Sequence, residues 1–309
     1  MSNPFLSLGF NSWSQKFFRG NVPAAAAAFL KYVTTSISSF TLRSTGTVDY
    51  EVDWGDGTTE SLTTNAPTHT YSSAGEYTIK VTPAEGSTYR PYFNNAVSDT
   101  SIASVSGTGG SRLGTTLLDA WEGASNMTSF NSNIDTSGVT NFTGTWSRCS
   151  SLTSFPLLDT SSGLSFSSAW YDCDSLTSFP SIDTSSGIIF LSGWYECTSL
   201  TSFPLLNVSS GTDFRTAWYN CSSLTTFPAN MFNTTGTLIS VAFDQCWEHC
   251  ALSAQSIENI LTSLDTNGAS NITLSISGGT NAAKTTWSAA ANTAYNNLIT
   301  KGWTIAYNA

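Results

Sequence analysis

Charged side chains are scarce in this 309-residue chain, and basic ones are scarcer still. Asp, Glu, Lys and Arg make up 10% of the residues, with 11 Lys and Arg against 21 Asp and Glu, so the net charge is −10. Nucleic-acid binding depends on Lys and Arg that neutralise phosphates, and binding to an anionic membrane surface depends on a basic patch. The composition therefore predicts neither kind of partner.

Long apolar runs are also missing. No stretch approaches the roughly 20 apolar residues that a membrane-spanning helix needs, so we expect no membrane insertion. The first 30 residues have no basic segment ahead of an apolar one, and the Ala run at 24–28 lies between Arg19 and Lys31, a poor arrangement for a signal peptide. We expect a retained segment, in a protein that is either cytosolic or carried out of the cell within an assembled particle.

Sequence motifs of catalysis and metal binding are absent as well. The two histidines, His69 and His249, lie in different regions, and no nucleophile elbow, phosphate loop or HExxH motif occurs. The cluster CWEHC at 246–250 lacks a fourth zinc ligand, and DWGDG at 53–57 lacks the spacing of a calcium loop. The sequence therefore predicts no enzyme, no cofactor and no metal site.

What the chain has instead is an internal repeat. Cys149, Cys173, Cys197 and Cys221 recur every 24 residues, and Cys246 follows at 25. Trp, Leu and Phe columns recur with them, and the Trp column comprises Trp121, Trp146, Trp170, Trp194, Trp218 and, as a degenerate last member, Phe243. Such a period is typical of a leucine-rich-repeat-like solenoid, whose coils form a core only by stacking. We expect the Trp and Cys side chains inside, with the cysteines as a ladder of reduced thiols.

A row of polar and aromatic side chains is the candidate binding surface. If AWYDC at 169–173 is helical, Trp170 and Cys173 share the buried face while Tyr171 and Asp172 point away. An exposed aromatic row offers contact area and hydroxyl groups to a ligand, although amphipathic residues at a coil edge would look the same. The candidate residues are Tyr171, Asp172, Tyr195, Glu196, Tyr219 and Asn220.

Two further columns could also face a ligand. Thr153 and Ser154, with their equivalents, form a hydroxyl-rich face that could bind a glycan or only water. An Asp/Asn column, Asp135, Asp159, Asp183, Asn207 and Asn233, suits turns because such side chains bond nearby backbone N–H groups. Stacked carboxylates leave calcium as the minor alternative.

Two resemblances extend this interpretation. The units AWYDCDSLTSF, GWYECTSLTSF and AWYNCSSLTTF resemble the leucine-rich repeats of BspA-type bacterial surface proteins over about 119–253, which implies an adhesion or interaction module. VDWGDGT followed by THTYSSAGEYTIKV resembles the polycystic-kidney-disease (PKD) domain over 38–83. That family implies an immunoglobulin-like sandwich found in surface and phage proteins, with DWGDG forming a turn.

The predicted fold is mainly β with an α/β C-terminal cap, in four parts. Residues 1–33 form a docking arm, 34–97 a PKD-like β-sandwich, 98–253 a leucine-rich-repeat-like solenoid of 24-residue coils, and 254–309 a cap of two helix–strand units, the second helix spanning about 282–300. The arm carries apolar side chains that need a partner surface. They are Phe5, Leu6, Phe10, Trp13, Phe17 and Phe18.

The expected function is non-enzymatic. We expect a virion-surface protein of a phage, a fibre, decoration or adaptor, that binds other virion proteins through its arm and a host-surface glycan or protein through a solenoid face. Self-association into a homo-oligomer would suit the arm. Alternatives are a capsid or tail component with no ligand, a bacterial cell-surface adhesin and, least favoured, a glycan depolymerase, since acid–base catalysis needs two unlike carboxylates and the Asp columns look alike.

Overall fold

The computed structural model describes residues 29–93, 99–108 and 113–309. The N-terminal domain consists of two sheets, and in β1 and β3 buried residues alternate with partly or fully exposed ones. Its larger sheet has the order β4-β3-β6-β1-β7-β8, and β2 pairs with β5. The strands are β1 (Leu30–Thr34), β2 (Ile37–Thr41), β3 (Tyr50–Asp53), β4 (Thr59–Leu62), β5 (Thr68–Gly75), β6 (Thr78–Pro83), β7 (Ile102–Gly107) and β8 (Ser129–Phe130).

Aromatic side chains join the two sheets. Tyr32 of β1 contacts Phe40 of β2 at 6.4 Å between ring centroids and Phe93 at 5.6 Å. Trp54 is fully buried and stacks on His69 of β5 at 4.9 Å. These contacts place the hydrophobic core between the sheets, as in a β-sandwich.

The larger sheet continues into the repeats. β7 pairs antiparallel with β1 and parallel with β8, which lies in the first repeat. β1 begins at Leu30, inside the segment 1–33 assigned to the arm, and β7 lies beyond residue 97. The described β domain therefore extends past both boundaries that the sequence suggested for it, and its strand β7 covers the first repeat.

Successive repeats stack through aromatic columns. The Trp146, Trp170, Trp194 and Trp218 rings are parallel, with centroids 5.3–5.5 Å apart. Isolated parallel bridges join the backbones, running from Thr116 through Asn141, Ser165, Ile189 and Asp213. The Gly of each DTSSG turn makes room for the Phe three residues later, since a Cβ at Gly187 would lie 2.5 Å from Phe190 Cζ. The rings of successive repeats thus pack into one continuous core.

The segment around each Trp is a pair of turns rather than a helix, so the helical assumption for AWYDC was wrong. Ser168 and Asp172, two residues before and after Trp170, have left-handed φ values of 52° and 58°. Left-handed residues interrupt helical hydrogen bonding. The inside–outside assignment nevertheless holds, because Trp170 and Cys173 are fully buried while Tyr171 and Asp172 are partly exposed.

The last repeat departs from the predicted columns. Trp247 stacks on Trp218 at 5.3 Å and 4°, whereas Phe243 stacks on Phe214 at 5.3 Å and 5°. The Trp column therefore ends at Trp247, and the assignment of Phe243 to it was wrong. The interval from Phe227 to Trp247 is five residues longer than that from Phe203 to Trp218, and these extra residues shift the register.

The thiol ladder shows the same shift. All six cysteines are buried and each remains a thiol. The Cys173 Sγ donates to the Trp146 carbonyl at 3.2 Å, and Cys250, not Cys246, makes the equivalent bond to Trp218 at 3.0 Å. Cys246 was therefore wrongly assigned to the ladder.

The C-terminal unit has two helices and a two-stranded parallel sheet. Its elements are α1 (Ala254–Asn267), β9 (Thr273–Ile276), α2 (Ala289–Thr300) and β10 (Thr304–Tyr307). Ser253 caps α1, and Gly268 ends it with φ 81°. The second helix starts at Ala289 rather than near 282, because a 3₁₀ turn at Lys284–Thr286 precedes its cap Ser288. β9 extends the stack, since the backbone N–H of Trp247 donates to the backbone carbonyl of Ser275 at 3.1 Å.

Candidate interaction surface

The predicted tyrosine row forms a continuous stack. Tyr171, Tyr195 and Tyr219 each follow a buried Trp, so equivalent turns place them side by side. Their rings are parallel, with centroids 4.7 Å and 4.8 Å apart and interplanar angles of 5° and 9°. Each ring covers its neighbour's face, and for that reason the three side chains are partly rather than fully exposed.

Both ends of the tyrosine row are covered by cationic or ionisable side chains. The Arg148 guanidinium lies 5.7 Å from the Tyr171 ring centroid and forms a 2.8 Å ion pair with Glu122. At the other end His249 contacts Tyr219 edge-on at 5.4 Å. A sugar that stacks its apolar side on an aromatic ring needs an open ring face, so a ligand here would meet ring edges and hydroxyl groups instead.

The hydroxyl groups of Tyr171 and Tyr195 are hydrogen-bond donors at neutral pH. Partial burial raises the pKa of Tyr171 and Tyr195, and the nearby Glu196 carboxylate raises both further. Burial, with Asp174 close by, also raises the pKa of Asp172, which Arg148 partly offsets. Asp172, Glu196 and Asn220 each follow one of these tyrosines, and all three have left-handed φ values of 54–58°, so they occupy equivalent turns. Each stacked phenol is therefore followed in sequence by a carboxylate or amide side chain that can accept hydrogen bonds.

A shallow polar pocket of about 270 Å³ lies at the Arg148 end of the row. Asp119, Glu122, Arg148 and Tyr171 line it. Burial raises the pKa of Asp119 and of Glu122, and Arg148 opposes the shift at Glu122. The sequence-based candidates omitted Glu122 and Arg148. Glu122 follows Trp121 at the position that Tyr171 takes after Trp170, and Arg148 takes the position of Asp172 in the repeat of Trp146.

The hydroxyl-rich face is exposed and already bonded along the stack. Thr153, Ser154 and their equivalents in neighbouring repeats are exposed. Thr177 and Thr201 each donate a hydroxyl hydrogen to the carbonyl of the equivalent Thr one repeat earlier, at 3.3 and 3.4 Å. These Thr hydroxyls therefore offer lone pairs rather than hydrogens to a ligand.

The Asp/Asn column forms turns. Asp159 accepts from the Ser161 N–H at 3.1 Å, and Asp135, Asp183 and Asn207 accept from the residue two positions on in the same way. Asn233 breaks the pattern, since it accepts from Ser263 of α1. The backbone bond from Ser185 lowers the pKa of Asp183. These contacts give the carboxylates a structural role in the turns.

The DWGDG segment is a turn with two internal side-chain bonds. Asp53 accepts from the Gly55 N–H, and Asp56 accepts from the Thr58 N–H, both at 3.0 Å. His69 Nε2 lies 2.8 Å from Asp56 Oδ2. Within 29–93, 99–108 and 113–309, no group of three or more His, Cys, Asp or Glu side chains is placed to hold a metal.

Two remaining expectations concern the arm and the membrane. Phe5, Leu6, Phe10, Trp13, Phe17 and Phe18 lie outside the described residues. Among the helices that the structure describes, none is both long and apolar enough to cross a membrane.

Comparison with known proteins identifies the N-terminal region. The family model of the PKD domain matches residues 23–89, in agreement with the two-sheet arrangement and the DWGDG turn. This region is therefore a PKD-like β domain. Comparisons with curated proteins and with solved structures gave no significant match.

Proposed function

We propose that the chain is a non-enzymatic surface protein of a phage virion, a fibre, decoration or adaptor, that presents its repeats to the host surface. The observation that carries this proposal is the regular spacing of identical side chains. Phenol groups recur at 4.7 and 4.8 Å along a row supported by a core of stacked Trp rings. A rigid, periodic face suits polymeric or repeated ligands such as surface glycans.

We further infer that the repeats are leucine-rich-repeat-like and resemble those of BspA-type surface proteins. The 24-residue spacing of the Trp stack and the parallel bridges between equivalent residues support this assignment. Leu152 and Leu176, which define the family pattern, are fully buried. On this proposal the segment ahead of the PKD-like domain attaches the chain to other virion proteins, and deletion of residues 1–22 should abolish incorporation into particles.

The test measures binding of the full chain to a panel of bacterial cells and to their extracted surface polysaccharides. The whole chain is needed, because β7 pairs with β1 and a repeat fragment would lose that contact. Replacing Tyr171, Tyr195 and Tyr219 together by Phe removes the hydroxyl groups and keeps the ring stack. Replacing Ser154, Ser178 and Ser202 by Ala is the matched control on the hydroxyl-rich face.

Saturable binding that the triple Phe variant loses and the triple Ala variant keeps would support attachment through the tyrosine row. Loss in the Ala variant alone would overturn the row as the binding face. If the unmodified chain binds no cells, including those a phage carrying it infects, the host-attachment role is refuted and a component with no ligand takes its place.

A further inference from the structure

Three aromatic rings of the C-terminal unit converge on one point. Trp287 lies after the 3₁₀ turn, Tyr295 on α2 and Tyr307 at the end of β10. Their centroids are 5.9 Å apart for Trp287 and Tyr295, and 5.5 Å apart for each of the pairs that include Tyr307. The interplanar angles are 58–84°, so the three ring planes are steeply inclined to one another, like the walls that meet at a corner. We call this group the aromatic cage.

A cation occupies the aromatic cage. The Lys284 ammonium lies 3.4 Å from the centroid of Tyr295, 4.8 Å from that of Tyr307 and 5.9 Å from that of Trp287. None of the four ion pairs among the described residues includes Lys284. The rings themselves therefore supply the attraction for this charge, through the negative potential of their faces.

Backbone and side-chain bonds fix the cage walls before any ligand arrives. The Trp287 indole N–H donates to the Ala282 carbonyl at 3.1 Å, which sets the ring orientation. The Lys284 N–H donates to the Asn308 carbonyl at 2.9 Å, tying the 3₁₀ turn to the end of β10. Tyr295 and Tyr307 are partly exposed, so the cage opens to solvent. Only the flexible Lys side chain has to move for the site to become vacant.

We propose that the aromatic cage is a binding site for a quaternary ammonium group and that Lys284 is its resident occupant, displaced when the ligand enters. A primary ammonium is strongly hydrated, whereas a trimethylammonium group carries methyl groups that contact all three rings and loses less hydration on entry. The net charge of −10 also favours a cationic ligand. This site shares no residue with the tyrosine row and does not depend on the proposed attachment function.

The tethered lysine makes a quantitative prediction. A group attached to the site competes at an effective concentration of the order of millimolar. If the tethered ammonium binds the cage with a dissociation constant near that concentration, removing its charge in Lys284→Gln should increase affinity for a soluble quaternary ammonium ion by about twofold or more. Lys80→Gln is the matched control, because Lys80 lies 4.6 Å from the single ring of Phe29 and faces no cage.

The experiment titrates tetramethylammonium and choline into the full chain and its variants, and follows the N-methyl proton resonances, which shift upfield beside aromatic faces. The expected result is saturable binding, tighter in Lys284→Gln, unchanged in Lys80→Gln and lost in Lys284→Gln combined with Tyr295→Leu. Circular dichroism confirms the fold of each variant. Ammonium ion at the same concentrations should compete only weakly, because its hydration opposes entry.

The proposal is overturned if Lys284→Gln shows no saturable upfield shift, or if affinity is the same with and without the lysine charge. Once choline binds, two further arms separate the sources of the group. Co-sedimentation with phosphatidylcholine vesicles tests a lipid headgroup, and binding to a soluble phosphocholine-bearing polymer tests a surface polymer. Binding in either arm that choline competes away supports the site, and failure of both restricts it to small solutes and refutes a surface-borne ligand.

Discussion

Phe179 provides the most direct test of how the repeats are stabilised. Its ring lies between two indoles, 4.7 Å from Trp170 at 76° and 5.2 Å from Trp194 at 82°. Both indole N–H groups are buried and have no nitrogen or oxygen acceptor among the described residues. A buried donor left without any acceptor would cost about 1–3 kcal/mol, so we infer that the Phe rings, perpendicular to the indoles, supply weak π acceptors.

Replacing Phe179 by Leu removes these two edge-on contacts. Each aromatic pair is worth about 0.5–1.5 kcal/mol beyond the area that it buries, so the two together contribute about 1–3 kcal/mol. Phe190→Leu is the matched control. Phe179 stacks on Phe155 and Phe203, and Phe190 likewise stacks on Phe166 and Phe214, but the one indole near Phe190, at 6.4 Å, is nearly parallel to it.

We therefore expect Phe179→Leu to lower the free energy of unfolding by about 1–3 kcal/mol more than Phe190→Leu. Urea denaturation followed by tryptophan fluorescence and by circular dichroism measures both. A double-mutant cycle with Trp170→Phe should show a coupling of about 0.5–1.5 kcal/mol. Equal costs for the two Leu variants, together with no coupling, would refute the edge-on contribution.

Three further predictions concern other parts of the chain. Side-chain hydrogen bonds from Thr58 and from His69 lower the pKa of Asp56 from 3.8 to about 2, so the stability that Asp56 contributes is present above pH 3.8 and lost as the pH falls through 2. Asp56→Asn should remove that acid-dependent component of unfolding, and an NMR titration that gives Asp56 an ordinary pKa would contradict this. Burial raises the pKa of Cys173 and Cys221 far above the usual range of a thiol. We therefore expect a thiol reagent to modify none of the six cysteines in the native protein and all six in urea, and rapid reaction of the native protein would show that the repeats open. Ser256 Oγ accepts from the buried Phe227 N–H at 3.0 Å and donates to the Thr225 carbonyl at 2.9 Å, which couples α1 to the last repeat. Ser256→Ala should therefore lower the free energy of unfolding in urea by about 1–3 kcal/mol. An equal loss in Ser270→Ala, an exposed control, would argue against this coupling.

The sequence predicted the parts of the fold that depend on regular spacing. The 24-residue period identified the buried Trp and Cys columns, and VDWGDGT with its partner motif identified the PKD-like domain, because both patterns follow from repeated local packing. Ile257, Ile260, Leu261 and Leu264 lie at helical spacing in the sequence and form the buried face of α1. Each of these signals is a short motif or a fixed spacing that can be read directly from the sequence.

The features that the sequence did not predict depend on contacts between distant segments. Phe243 and Trp247 are both aromatic and both close to the expected position, and only the stack shows which one follows Trp218. The left-handed turns at Ser168 and Asp172 are hard to read from sequence, since Gly144 alone among the equivalents of Ser168 signals such a φ by its residue type. The aromatic cage combines residues from a turn, a helix and a strand, so no local motif encodes it.

The two ends of the stack are closed by different partners, β7 at the first repeat and β9 at the last. Between these ends each repeat makes the same contacts to the repeat on either side. Adding or removing a 24-residue unit would therefore leave both terminal contacts intact and change the distance between the PKD-like domain and the C-terminal unit by about 5 Å per unit at the usual strand spacing, together with the small rotation that each repeat adds. In this respect the middle of the chain is an adjustable spacer, whose length evolution can set by duplication without redesigning either end.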